Sequence, residues 1–176
     1  MRDGDGDGDG GGPPALGAEI RILDARLPGW GFPHWGSAGA AGLDLHACLN
    51  EPLVLPPGGE PVLVPAGFAI RIGDPGWCGL VTPRSGLGHR GLVLGNGMGV
   101  IDADYEGPCL LSVLNRSRGG EPITVSPGDR IAQMVFVRVG RPVVSVVDAF
   151  SGSAGPGRGA GGFGSTGQAA VSAVRS

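Results

Sequence analysis

Short apolar or alternating runs recur along the chain, each closed by Gly, Pro, Asn or Asp. This period-two patterning predicts strands near Glu19–Leu23, Leu43–Leu49, Pro61–Val64, Phe68–Ile72, Cys78–Thr82, Leu92–Leu94, Cys109–Leu114, Ile123–Val125, Arg130–Val139 and Val143–Val147. No window carries an apolar stripe of helical period for longer than about two turns. Many short strands, frequent turn signals and almost no helix predict an all-β protein, a jelly-roll-like β-sandwich. Pro52, Pro56, Pro57, Pro65, Pro75 and Pro127 then fall at strand ends, where a missing N–H does no harm.

Composition sharpens the boundaries. With 176 residues the chain has room for one domain whose core needs no disulfide or structural metal. Its 37 Gly and 16 Pro would suggest low complexity if evenly spread. Residues 1–17 and 151–167 hold a large share of the glycines. The expected organisation is a disordered Asp/Gly-rich tail at 1–17, a β domain at 18–150 and a flexible C-terminal arm at 151–176. All the basic residues are arginine, which reads as coding bias, so their positions carry more weight than their number.

The net charge of -3 is modest, and Asp3, Asp5, Asp7 and Asp9 sit in the tail. No basic stripe is present for displacing counterions, so nucleic acid is not an expected partner. No run approaches the roughly 18 to 20 apolar residues that span a bilayer, and acids and glycines stand where a signal peptide needs a basic and then an apolar region. A soluble, cytoplasmic protein without a membrane partner is expected. Cys48, Cys78 and Cys109 are odd in number, far apart and set in apolar contexts, which fits buried thiols better than ligands or a disulfide.

Five segments interrupt the β pattern with polar and glycine residues. In Ala41-Gly42-Leu43-Asp44-Leu45-His46-Ala47 an acid stands between two leucines, where a plain solvent-facing residue is the bland alternative. Pro83-Arg84-Ser85-Gly86-Leu87-Gly88 follows a strand; proline ends it, the glycines let the backbone turn, and freed N–H groups together with Arg84 suit an anion. An ordinary turn is the alternative. Gly95-Asn96-Gly97-Met98-Gly99-Val100-Ile101-Asp102-Ala103-Asp104-Tyr105-Glu106-Gly107 reads as a glycine-rich hairpin whose backbone approaches a flat ligand. Asp102, after two apolar residues, is expected in a partly dry setting from which it can orient water, although a simple hairpin stands about level with that reading. In Pro127-Gly128-Asp129-Arg130-Ile131-Ala132-Gln133-Met134, Gln133 falls among apolar neighbours and needs a partner. Arg158-Gly159-Ala160-Gly161-Gly162-Phe163-Gly164-Ser165-Thr166-Gly167 sets one aromatic among glycines, a strap able to stack on a base and clasp phosphates, with a chance disordered tail as the alternative.

Taken together and in this order, AGLDLHA, PRSGLG, GNGMGVIDADYEG, PGDRIAQM and RGAGGFGSTG resemble the five ordered motifs of the trimeric dUTPase family, bacterial type, over roughly residues 19–167. The resemblance implies a jelly-roll homotrimer with active sites assembled from three subunits. It implies hydrolysis of dUTP to dUMP and pyrophosphate with Mg²⁺. Asn96, with Ile101 and the neighbouring backbone, would read uracil, and Tyr105 would lie under the deoxyribose. Asp102 would bond the 3′-hydroxyl and position the attacking water. Arg84, Ser85 and Gly86 would hold the phosphate chain, Gln133 would support it, and Asp44 would reach the magnesium through water. In the arm, Phe163 would stack on uracil while Arg158, Gly164, Ser165 and Thr166 reach the outer phosphates.

The chain departs from the family pattern in a shorter loop at His89-Arg90-Gly91, in Glu106 after the tyrosine and in Pro108 after the glycine. Two other functions compete. A dCTP deaminase shares the resemblance, but its proton-shuttling glutamate would fall at Ser112, which is no acid. A non-catalytic nucleotide-binding trimer would be signalled by loss of Asp102, Tyr105 or the arm, and all are present.

Overall fold

The computed structural model describes residues 16–152. Strands β1 (Glu19–Ile22), β4 (Val62–Arg71), β8 (Pro108–Asn115) and β6 (Leu92–Leu94) form one antiparallel sheet in the order β1-β4-β8-β6. Strands β2 (Gly42–His46), β10 (Arg130–Arg138), β5 (Trp77–Pro83) and β7 (Gly99–Ile101) form a second, in the order β2-β10-β5-β7. β3 (Leu53–Leu55) and β9 (Ile123–Val125) make a two-stranded ribbon. The architecture is the expected all-β, jelly-roll-like sandwich.

Alternation decides which face each strand buries. In β8, Cys109, Leu111, Val113 and Asn115 point inward while Pro108 and Leu110 face out. Phe68 and Ile70 of β4, Leu43 and Leu45 of β2, Leu111 of β8 and Ile131 and Met134 of β10 are almost wholly buried in one core. At about 1.5 to 3 kcal/mol for each large side chain removed from water, this shared core is the main reason the sheets stay together.

Several boundaries differ from expectation. The runs at Pro61–Val64 and Phe68–Ile72 are one continuous strand, because Pro65 and Gly67 are absorbed by a register shift between Pro65 and Ala69 where β4 meets β8. β3 is only three residues long between prolines, and β7 lies inside a glycine-rich motif; neither pattern announces a strand. A single 3-10 turn at Leu27–Trp30 starts a loop that runs beside β2, with Asp44 N–H donating to His34 O at 3.0 Å. Within that loop Trp30 stacks on His46 at 6.3 Å between ring centroids. Phe32 meets the same imidazole edge-on. Trp35 lies 6.4 Å from Phe136, and Arg138 covers Trp77 at 5.2 Å.

The chain divides into two units, Met1–Gly140 and Arg141–Ser176. In the second, residues 141–152 hold no regular structure. Val143, Val144, Val146 and Phe150 are 81% to 100% exposed. The strand expected at Val143–Val147 is therefore not formed: β propensity without a neighbouring strand leaves the backbone groups to water.

Candidate active site

The centre of the site is built where β2 and β10 pair. Gln133 lies opposite Asp44 in the ladder, so both side chains leave the sheet on the same face. A register shift between Arg130 and Ala132 adds one residue to β10. The bulge brings Arg130 out on the face of Gln133, from which plain alternation would exclude it. Asp44 is only 4% exposed, and each of its oxygens is ion-paired with an arginine. Arg84 Nε lies 3.0 Å from Oδ1 as an ion pair, and Arg130 Nη1 donates to Oδ2 at 3.0 Å. The carboxylate is therefore not the solvent-facing acid of the bland reading; it is buried and charge-paired.

Because Arg84 meets Asp44 through Nε, its two terminal amino groups have no partner among the described residues, and the side chain is 37% exposed. Gln133 lies flat across Gly42, where a Cβ would come within 2.5 Å of its Oε1. Its Nε2 reaches Pro83 O only at a long 3.5 Å. Most of the amide's bonding capacity remains available.

These side chains open onto a cavity of about 930 Å³ lined by Asp44, Arg84, Ser85, Gly86, Arg130 and Gln133 among others. The segment after Pro83, expected to be a turn, is a helix: α1 spans Ser85–Arg90. Proline ends β5, extended Arg84 precedes the helix, and Gly88 N–H donates to Arg84 O at 2.8 Å. Sequence reasoning thus brings Asp44, Arg84, Ser85, Gly86 and Gln133 into one cavity; it passed over Arg130, whose only signal was a basic residue next to a turn in the fourth motif.

Asn96, Ile101, Asp102 and Tyr105, expected at the nucleoside, lie elsewhere in the same chain. The Gly95–Gly107 segment is not a hairpin: β6 pairs with β8 in one sheet and β7 pairs with β5 in the other, so the Asn96–Met98 turn crosses between sheets. Gly97 N–H donates to Leu94 O at 2.9 Å, closing that turn. Ile101 lies opposite Gly79. Asp102 follows it off the end of edge strand β7 and is exposed, not partly dry, because no other element of the described chain covers that edge. Asp102 thus stands near the Cys78 level of β5, on the order of 20 Å of strand rise from Arg84 at the other end.

Tyr105 is 41% exposed yet held. Its hydroxyl donates to Pro108 O at 2.9 Å. The ring folds over Gly107, where a Cβ would come 2.5 Å from the hydroxyl oxygen. Ala103 O accepts from Gly73 N–H at 2.9 Å and ties the loop to the end of β4. Arg158, Phe163, Gly164, Ser165 and Thr166, expected in the arm, lie outside the described residues.

Residues 29–167 match the family model described as dUTPase. The chain belongs to the dUTPase family. A relative named deoxyuridine 5'-triphosphate nucleotidohydrolase from Xylella fastidiosa (strain M23) is 54% identical over 151 residues, 85% of this chain and 94% of its own. Another of the same name, from Xanthomonas euvesicatoria pv. vesicatoria (strain 85-10), is 50% identical over 157 residues, 88% of this chain and 97% of its own. Among solved structures, a Staphylococcus bacteriophage 80alpha dUTPase with dUPNHPP is similar at a TM-score of 0.71 and 26% identity, covering 88% of this chain and all, 100%, of the other. A mutant dUTPase from phage phi11 of S. aureus, described as coordinating a structural Mg(II) ion, is similar at a TM-score of 0.65 and 25% identity over 77% of this chain and 99% of its own.

In this member of the dUTPase family the cysteines form no disulfide among the described residues. All three are buried. Burial pushes the Cys48 thiol up to about 11 and the Cys109 thiol up to about 12, so neither forms a thiolate at neutral pH. No three His, Cys, Asp or Glu side chains converge on a metal position among the described residues. A cation carried by phosphate oxygens fits this donor set, since magnesium is commonly held by one or two carboxylates plus substrate phosphates. Asp44 keeps lone pairs free beyond its two arginines for a metal-bound water.

Proposed function

We propose that the chain hydrolyses dUTP to dUMP and pyrophosphate by in-line attack of water on the α-phosphorus, limiting uracil in DNA and supplying dUMP for dTMP synthesis. The observation that carries this reading is the cavity in which Arg84 is pinned by Asp44 through Nε and left free at its fork. A fork fixed in advance loses little freedom when it meets phosphate, so its interaction with developing charge costs no reorganisation. Ser85 and Gly86 present a hydroxyl and bare backbone on the same wall. Gln133 supports the phosphate chain with the amide capacity that Pro83 leaves unused.

Asp102 orients the water, whose oxygen bonds to phosphorus as the α,β bridge breaks and pyrophosphate leaves; the released proton passes to the carboxylate or to solvent. Asn96 and Ile101 read the base, and Tyr105 meets the sugar with a ring fixed by its bond to Pro108 O. Mg²⁺ would supply neutralisation of the phosphate charge when bound, and Asp44 would hold it through water. Phe163 stacks on uracil while Arg158, Gly164, Ser165 and Thr166 close over the outer phosphates.

The distance between Arg84 and Asp102 along β5 supports a homotrimer with shared sites. One phosphate chain cannot touch both ends of a strand this long, so one subunit supplies the phosphate cavity and another the base-reading segment. The exposed Val143–Val147 run supports an association surface in the same assembly. No helix among the described residues is long and apolar enough to cross a membrane, and we place the enzyme in the cytoplasm.

The deciding assay incubates purified protein with dUTP, dTTP, dCTP and UTP and measures pyrophosphate with and without a chelator. Release from dUTP alone, lost on chelation, is expected; ammonia from dCTP would transfer the assignment to a deaminase. Truncation after Phe150 is expected to leave a folded assembly with little activity, and an unchanged rate would remove the arm from the mechanism.

A further inference from the structure

The cavity wall formed by α1 carries a residue that neither the motif reading nor the site as built above uses. Gly86, Leu87 and Arg90 all line the 930 Å³ cavity, while His89 does not. Positions 86 and 90 are four apart and so lie one above the other on a helix face, with Leu87 beside them. The helix therefore lays one stripe along the cavity, bare backbone at Gly86 and a guanidinium at Arg90. A rise of about 1.5 Å per residue sets the roots of those two residues roughly 6 Å apart along the wall.

Charge bookkeeping separates Arg90 from its neighbours. The cavity walls hold Arg84, Arg90 and Arg130 against the carboxylates of Asp44 and Asp129. Arg84 and Arg130 share Asp44. The Asp129 carboxylate accepts from Ser126 N–H at 2.8 Å and shapes its turn. Among the described residues Arg90 has no ion pair and no side-chain hydrogen bond, and it is exposed. Its root is nevertheless fixed. Gly91 ends the helix with its N–H on Gly88 O at 3.2 Å, and Gly91 O accepts from Arg116 N–H at 2.9 Å. A held root with an uncommitted cationic end is what an anion at the far side of the cavity meets.

We propose that Arg90 contacts the phosphate furthest from the nucleoside, and so sorts nucleoside triphosphate from the monophosphate product. This rests on the phosphate-cavity reading above, with Arg84, Ser85 and Gly86 taking the nearer phosphates. A second cavity of about 240 Å³ meets the first at Arg90 and Thr124 and is lined also by Ser117 and Glu121.

The test measures the affinity of wild type, Arg90→Gln and Arg90→Lys for dUMP and for the imido analogue of dUTP, with turnover of dUTP alongside and thermal midpoint as a control for folding. Arg90→Gln is expected to weaken the triphosphate analogue tenfold or more and to leave dUMP unchanged. Arg90→Lys should recover part of the loss, since it keeps the charge but not the fork. Equal affinity of Arg90→Gln and wild type for the analogue overturns the proposal, as does an equal loss for both ligands. Failure of wild type to hydrolyse dUTP is a different result, and overturns the phosphate-cavity reading itself.

Discussion

The two ends of β5 are held in different ways. At the Pro83 end, Arg84 and Arg130 close on a buried carboxylate, and Gln133 lies against a glycine in a fit with no room for a methyl group. At the Trp77 end, β7 runs along an open sheet edge, and Met98, Val100 and Tyr105 are 41% to 55% exposed. The first region is held together by ion pairs and close packing among the described residues. The second is shaped by backbone turns and waits for something to cover it. Charge needs to be positioned before a polyanion arrives, because unpaired guanidinium groups would drift and repel; under the proposed function, a base-reading edge would need access and would take its dryness from the ligand and a neighbouring subunit.

Removing Asp102 should give the largest effect and touch only the open end. Asp102→Ala is expected to lower turnover by roughly 10² to 10⁴-fold while sparing dUTP binding and thermal midpoint, as steady-state kinetics and calorimetry would read. Wild-type-like turnover would remove the residue from the chemistry. Asp44→Ala attacks the closed end and should behave in the opposite way. With two arginines left facing each other, stability is expected to fall by about 2 kcal/mol, at the low end for a broken pair because both guanidinium groups reach water. Denaturant titration would read that loss, with weaker dUTP binding beside it; an unchanged midpoint would mean that the ion pairs do not hold the region together.

A subtler probe of the open end is Gly107→Ala. The added methyl displaces the Tyr105 ring, and discrimination between dUTP and UTP is expected to fall about tenfold, a difference of about 1.4 kcal/mol. A discrimination ratio equal to wild type would show that the ring's seat does not set sugar choice. The smallest effect concerns pH. His46 is buried between Trp30 and Phe32 beside the Asp44 cluster, and burial holds its imidazole below the ordinary value of 6.5. Below about pH 6.5 the unfolded chain then binds a proton that the folded chain refuses. The folded state should lose stability as pH falls from there to the folded-state value, and keep it above. Urea midpoints at pH 7.5 and 5.5 would show it, and His46→Phe should flatten the difference.

The open and closed ends also differed in how well the chain announced them. Strands with clean alternation and β-branched residues, such as β8 and β10, were legible, as was the gathering of Asp44, Arg84 and Gln133. The paths that put them there were not. A bulge in β10 is invisible to period-two patterning, so Arg130 could not be assigned to the face of Gln133. A glycine-rich segment looks like a hairpin whether its flanking strands pair with each other or, as β6 and β7 do, with different sheets. The valines at 143–147 have strand-like composition, but composition cannot supply the neighbouring strand that would complete the ladder.

The length of β5 between Arg84 and Asp102 bears on heredity as well as on chemistry. Under the shared-site reading, a chain damaged at one end and a chain damaged at the other would rescue each other when they co-assemble, since some interfaces would join two intact halves. Two inactive alleles could then yield an active mixture, a behaviour that an enzyme with every site inside one chain would never display.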